Sequence, residues 1–201
     1  MRGVGPVSEA EVVATFLRAE LESPRYREPL VALLERDRRK VAVVVRPNLE
    51  DAEENAYREM LLDGYRGWLR REGLFDGFPE GVEWSRVLLT REEVLSILYI
   101  DWDWWLTISA GTRRPVDAAE RIRRGLVPGV SAEGHEPIAA RFAGNDPPPE
   151  LIVATNAART KLVLVEGHVR LTAYALFPHY LPDELEVLLG SSEEIDRWSE
   201  F

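Results

Sequence analysis

Between residues 161 and 177 the hydrophobic pattern of the chain changes period across a single residue. Lys161-Leu-Val-Leu-Val-Glu166 is an aliphatic, partly β-branched run of strand length,. From Gly167 to Phe177 the apolar residues recur at helical spacing instead,. Only a tight turn fits between the two, and glycine is the residue that permits one. The neighbouring segments extend the pattern. Leu151-Ile-Val-Ala-Thr155 reads as a strand leading through the turn at 156–160 into the run above. Pro178 and Pro182 stop the helix, and Glu184-Leu-Glu-Val-Leu-Leu189 reads as a further strand,. The expectation is an α+β protein built on a small mixed sheet.

Upstream the signals are mainly helical. Ser8-Glu-Ala-Glu11 fits a capping box, followed by Val13, Phe16, Leu17 and Leu21 on one face until Ser23-Pro24,. A second helix is expected from about Pro29 to Arg39, and a long amphipathic one from Leu49 to Glu72,. Val41-Ala-Val-Val-Val45 between them reads as a buried strand,. Gly73 to Gly81 is rich in Gly, Phe and Pro and marks the candidate boundary. Residues 1–80 would form a helical N-terminal portion and residues 81–201 a second domain, unless the two make one compact unit. In the second part, Val82 to Leu89 reads as a strand and Thr90 opens a helix with Glu92 and Glu93 in its first turn,. Pro115 opens another, Val127 to Glu150 is a long loop ending in Asn145-Asp-Pro-Pro-Pro149, and Ser191-Ser-Glu-Glu194 caps a terminal helix,.

Composition narrows the function classes. The 201 residues contain no cysteine, which excludes disulfides, thiolate catalysis and Cys-based metal sites,. His135, His168 and His179 lack zinc-ligand spacing,. No apolar run reaches the roughly 20 residues of a membrane helix, and the start lacks a secretory signal. A cytoplasmic protein without membrane association is expected, and a homo-oligomer is compatible with the sequence. The net charge of −10 argues against nucleic acid as a partner,. All but two of the 25 basic residues are arginines, the exceptions being Lys40 and Lys161. Arginine suits bidentate phosphate recognition, although such a skew also follows from a GC-rich or thermophilic source.

Chemistry is best placed at Val165-Glu-Gly-His-Val-Arg170. A helix N-terminus carries unpaired N–H groups and a partial positive charge, so it favours an anion. Gly167 lets the backbone approach a ligand, and His168 and Arg170 add donors beside it. The bland alternative is a turn glycine, a capping histidine and an arginine paired with a nearby glutamate. Ser109-Ala-Gly-Thr-Arg-Arg-Pro115 is a second small-residue turn opening a helix, with Thr112 and Arg113 at its mouth and a solvated basic turn as its alternative. Asp101 and Asp103, among Trp102, Trp104 and Trp105, would share one face on a strand and could there hold Mg²⁺. An aromatic cluster with solvated aspartates is the commoner outcome.

The segment Leu162-Val-Leu-Val-Glu-Gly-His-Val-Arg-Leu-Thr-Ala173, with Leu185-Glu-Val-Leu-Leu189 after it, resembles the core of the ParB/sulfiredoxin superfamily. Its members share a β-hairpin, a Gly-x-x-Arg turn, a helix and a further strand. The turn is closest to the free-serine kinase version, Asp-Gly-His-His-Arg, with Glu166 in place of Asp and Val169 in place of the second His. The resemblance implies a ParB/sulfiredoxin-like fold and a prokaryotic protein. It implies a nucleotide (ATP, ADP or CTP) with Mg²⁺, phosphoryl transfer or hydrolysis, and a small-molecule acceptor. Gly167, His168 and Arg170 would hold phosphate, Glu166 and His168 would serve catalysis, and Thr112 and Arg113 would complete the pocket, Arg113 as partner of Arg170. Sulfinic-acid repair is excluded, since His168 stands where sulfiredoxin has its cysteine. ParB-like partitioning is disfavoured because little chain follows the last strand. A non-catalytic nucleotide sensor with a protein partner is the alternative, and a ParB-like nuclease a weaker one.

Overall fold

The structure, a computed structural model, describes residues 1–143 and 148–201. Its sheet is organised on β5 (Glu184–Ser192), which pairs antiparallel along its length with β2 (Glu83–Thr90). On its other side β5 runs parallel to β3 (Leu151–Asn156), which continues as an antiparallel hairpin into β4 (Leu162–Glu166). β1 (Arg2–Pro6) adds to the free side of β2, giving the order β1-β2-β5-β3-β4. The strands expected near 82, 151, 161 and 184 are all present. β1 carries no periodic signal, because Arg-Gly-Val-Gly-Pro has a single large apolar side chain and joins the edge through its backbone,.

Side chains alternate between the two faces of the sheet, and each face is covered. Trp84, Ile152, Val163, Val165 and Leu188 pack on one side with α1 (Glu9–Glu22), α2 (Arg27–Arg36), α3 (Ala42–Val45) and α4 (Ala52–Arg66). Val87, Leu89, Val153, Leu164, Val187 and Leu189 pack on the other. That side carries α5 (Arg91–Ser96), α6 (Asp103–Ser109), α7 (Pro115–Arg123), α8 (Glu136–Ala139) and α9 (His168–Leu176). Nine helices and a five-stranded mixed sheet, among the described residues, make this an α+β protein. None of the helices is long and apolar enough to cross a membrane.

Three local expectations are corrected. Val41–Val45 forms the turn of α3 rather than a strand. Arg58, wholly buried on α4, donates to the Val43 and Asn48 carbonyls at 3.0 and 3.2 Å, so the backbone there is satisfied without a sheet partner,. The long helix ends early, at Arg66, where Gly67 takes a left-handed conformation,. The expected terminal helix is replaced by a longer β5 and one 3₁₀ turn at Ile195–Arg197. Trp198 behind that turn is buried, with Nε1 donating to the Leu74 carbonyl at 2.7 Å. Gly73–Gly81 does not separate two cores, since Phe16, Leu62 and Phe75 share a cluster with Ile152, Leu188 and Trp198.

Candidate functional site

β4 ends by delivering Glu166 to the turn, Gly167 follows at φ 110°, and α9 begins at His168. A Cβ on Gly167 would stand 2.3 Å from Leu151 Cδ2 and 3.2 Å from Arg170 Nη2, so both its dihedral and its surroundings require glycine,. The second distance also shows that the Arg170 guanidinium lies back over the turn. Its Nη2 donates to Glu166 Oε1 at 3.2 Å. Its Nη1 donates to the Pro149 carbonyl and, at 3.3 Å, to that of Glu150. The neighbouring Gly167 N–H adds to the pull that favours the charged Glu166 carboxylate. The anion at this helix N-terminus is therefore the chain's own carboxylate.

Among the described residues, no hydrogen bond or ion pair joins Thr112 or Arg113 to this cluster. Thr112 Oγ1 donates to the Ser109 carbonyl at 3.0 Å. Arg113, at φ 61°, donates to the Tyr99, Phe201 and Glu200 carbonyls at 2.7, 2.8 and 2.6 Å. Its Nε is thus engaged by Tyr99 and its terminal nitrogens by Glu200 and Phe201. Asp101 lies 3.7 Å from the same guanidinium, and Asp103 opens α6. Of the tryptophans only Trp104 is exposed, while Trp102 and Trp105 pack on the core. Of the expected Pro-rich segment, residues 145–147 lie outside the described residues.

What the sequence reading missed is the second half of the cluster. Glu20 on α1 is 1% exposed, and its Oε1 accepts from Arg66 Nη2 of α4 at 2.5 Å. The Arg66 guanidinium also lies 3.7 Å from the centre of the Tyr26 ring,. Burial first, then the charge of Glu166, pushes the Glu20 carboxyl up to about 7 against the pull of Arg66,. Glu166 is likewise raised by burial, against Arg170 and Arg66. His168 is pushed down to about 3 by burial, then by Arg66 and Arg170, and so is neutral near pH 7. Its ring stacks on Trp105 at 4.8 Å, and its Nε2 has no hydrogen-bond partner among the described residues; the buried Glu20 Oε2 and Tyr65 Oη share that condition,. The signal for Glu20 was its place in the stripe Val13, Phe16, Leu17, Glu20, a carboxylate where the period calls for an apolar residue,.

The cluster thus holds two guanidiniums, two carboxylates and a neutral imidazole. It can bind an anion if a carboxylate yields, and it can move a proton at Glu20 or Glu166. His168 contributes a hydrogen-bonding atom rather than a cation. Among the described residues no three His, Asp or Glu side chains gather to hold a metal ion, and Glu166 is committed to Arg170. Compared with family models, curated proteins and solved structures, the chain matches none.

Proposed function

We propose that the chain binds a nucleotide or another phosphorylated small molecule at the turn of Glu166, Gly167, His168 and Arg170. A phosphoryl oxygen would take the position that the Glu166 carboxylate holds beside Arg170. One observation carries the reading: Arg170 Nη2, at 3.2 Å, already holds an anionic oxygen beside the first residue of a helix,. The likeness of Glu166-Gly-His-Val-Arg170 to the ParB/sulfiredoxin turn supports it, and ATP, ADP and CTP are the ligands that likeness names. In the enzymatic form, Arg170 offsets negative charge on a transferred phosphoryl group. Glu166, once displaced, takes the proton of a small acceptor's hydroxyl as that oxygen bonds the terminal phosphorus and the bond to the departing, shortened nucleotide breaks.

A second reading, a sensor without catalysis, is favoured by one observation. Both terminal nitrogens of Arg170 are engaged by the protein, so ligand entry has to rearrange the 149–150 segment that they hold. Thermal shift with ATP, ADP, CTP and inorganic phosphate tests the shared part. Wild type should be stabilised, Arg170→Ala should lose the effect, and Glu166→Gln should gain affinity because the competing charge is removed. Equal stabilisation of wild type and Arg170→Ala ends the proposal. Phosphorylated product from a hydroxylated acceptor then separates enzyme from sensor.

A further inference from the structure

The ion pair of Glu20 and Arg66, close enough to the Glu166–Arg170 pair for their charges to interact, is made at a single point. Arg66 Nη2 donates to Glu20 Oε1 at 2.5 Å, while Glu20 Oε2 and Arg66 Nε are buried without a hydrogen-bond partner among the described residues. A bidentate pair would have used both guanidinium edges and both oxygens. The Tyr26 ring, 3.7 Å from the Arg66 guanidinium, holds the arginine in place instead. Ionisable groups reach Glu20 from each neighbouring element. Arg25 and Tyr26 precede α2, Tyr65 and Arg66 end α4, and Glu166 ends β4, with Arg170 and His168 of α9 behind it. Arg27 of α2 is turned to the Leu21 carbonyl at 3.5 Å, and α3 has no titratable side chain. Tyr65 stays protonated, its phenol raised by burial and then by the charge of Glu20.

Two carboxylates and two guanidiniums balance in this cluster, and His168 is neutral. A phosphoryl group that takes the place of Glu166 on Arg170 brings close to two further negative charges. Buried charge without a counter-charge is strongly disfavoured. The Glu166 side chain is 18% exposed, so water can solvate it once it is displaced, whereas Glu20 at 1% has no such outlet. We propose that Glu20 is a positioning residue of the phosphate seat that gains a proton when an anion displaces Glu166, so that the ligand enters together with a proton drawn from solvent. The proton goes to the unpartnered Oε2 and returns to solvent when the ligand leaves. Neutral Glu20 no longer offsets Arg66, whose charge then acts on the anion and keeps Glu166 ionised as a base. A resting Glu20 carboxyl at about 7 needs little further change to gain this proton. The inference rests on the phosphate reading of the turn and supplies its regulation: affinity falls as pH rises above neutrality.

Isothermal calorimetry of the full chain with ATP, ADP and CTP near pH 8, in two buffers of different ionisation enthalpy, provides the test. A phosphate ester, whose last ionisation lies at about 6, is already fully charged there and does not itself take up the proton. Wild type should take up about one proton per bound nucleotide, and its affinity should fall by up to about tenfold for each further pH unit. Glu20→Gln keeps the shape of the side chain without its charge. It should bind with no proton uptake and a flat pH profile, which loss of packing alone would not produce. Binding to wild type without proton uptake overturns the inference with no variant needed. Uptake that persists in Glu20→Gln also overturns it, since the proton then goes to Glu166. Either result leaves the phosphate seat standing. If none of the three nucleotides binds wild type, the seat itself is wrong and the coupling falls with it.

Discussion

Glu20 and His168 are driven in opposite directions by the same burial, and their effects on stability partly cancel. Glu20, facing Arg66, Arg25 and Glu166, goes from 4.5 to about 7 on folding. It binds more protons folded than unfolded across that window, so its contribution to stability falls as pH rises through it. His168, facing Arg66 and Arg170, goes from 6.5 to about 3. It binds fewer protons when folded, so its contribution rises with pH over that interval. Between 4.5 and 6.5 the two oppose each other. Urea unfolding across this range should therefore show a rising stability with pH in Glu20→Gln relative to wild type, and a falling one in His168→Asn. Identical slopes in all three proteins would remove the opposed proton affinities. At this scale the turn itself was legible, because Glu166, Gly167 and Arg170 lie within one helical turn of each other. The Glu20–Arg66 pair was not, since its partners are brought to Glu166 only by the packing of α1 and α4 against the sheet.

The elements that the sequence marks well are those whose own side chains supply the reason for their shape. β3, β4 and β5 are aliphatic on both faces and lie between helices, so continuous runs identified them,. α1 and α5 carry their caps, with Ser8 accepting the Glu11 N–H and Thr90 and Glu93 forming a reciprocal box,. Val41–Val45 misled because what decides its conformation lies elsewhere. Arg58 of α4 supplies donors to the Val43 and Asn48 carbonyls and is closed in by Glu54 and Asn55. Arg58→Ala should leave the Val43 carbonyl without a donor, the Asn48 carbonyl with only the Asp51 N–H, and a void beneath α3, costing roughly 3 kcal/mol,. Calorimetry should show the lowered transition, and amide exchange at residues 43–46 should accelerate far more than in α9. Uniform acceleration through both segments would mean that Arg58 acts on the whole fold rather than on this connection.

Over the whole molecule, the helices before Gly73 are one of the two coverings of the sheet. Trp84, Ile152, Val163 and Leu188, none more than 6% exposed, are buried against α1–α4 and the tail. The chain also ties itself across the expected boundary at both ends. β1 pairs with β2, Trp198 donates to Leu74, and the Ser199 N–H donates to the Asp76 carbonyl at 2.9 Å. The glycine- and proline-rich stretch at 73–81 thus has the composition of a linker but is filled by Leu74, Phe75 and Phe78 packing on Trp68 and Trp198. Composition reports local flexibility and is silent on what an aromatic side chain meets across the fold. Residues 81–201 made alone should therefore fail to fold, because one face of the sheet would lose its cover. The full chain should unfold in a single transition seen alike by tryptophan fluorescence and far-ultraviolet circular dichroism. Trp198→Ala should lower that one transition by about 3–5 kcal/mol rather than split it. A fragment 81–201 with a dispersed amide spectrum and a sharp melt would show instead that the sheet is stable with one face bare, and the helices before Gly73 would then be a separable attachment rather than half of the core.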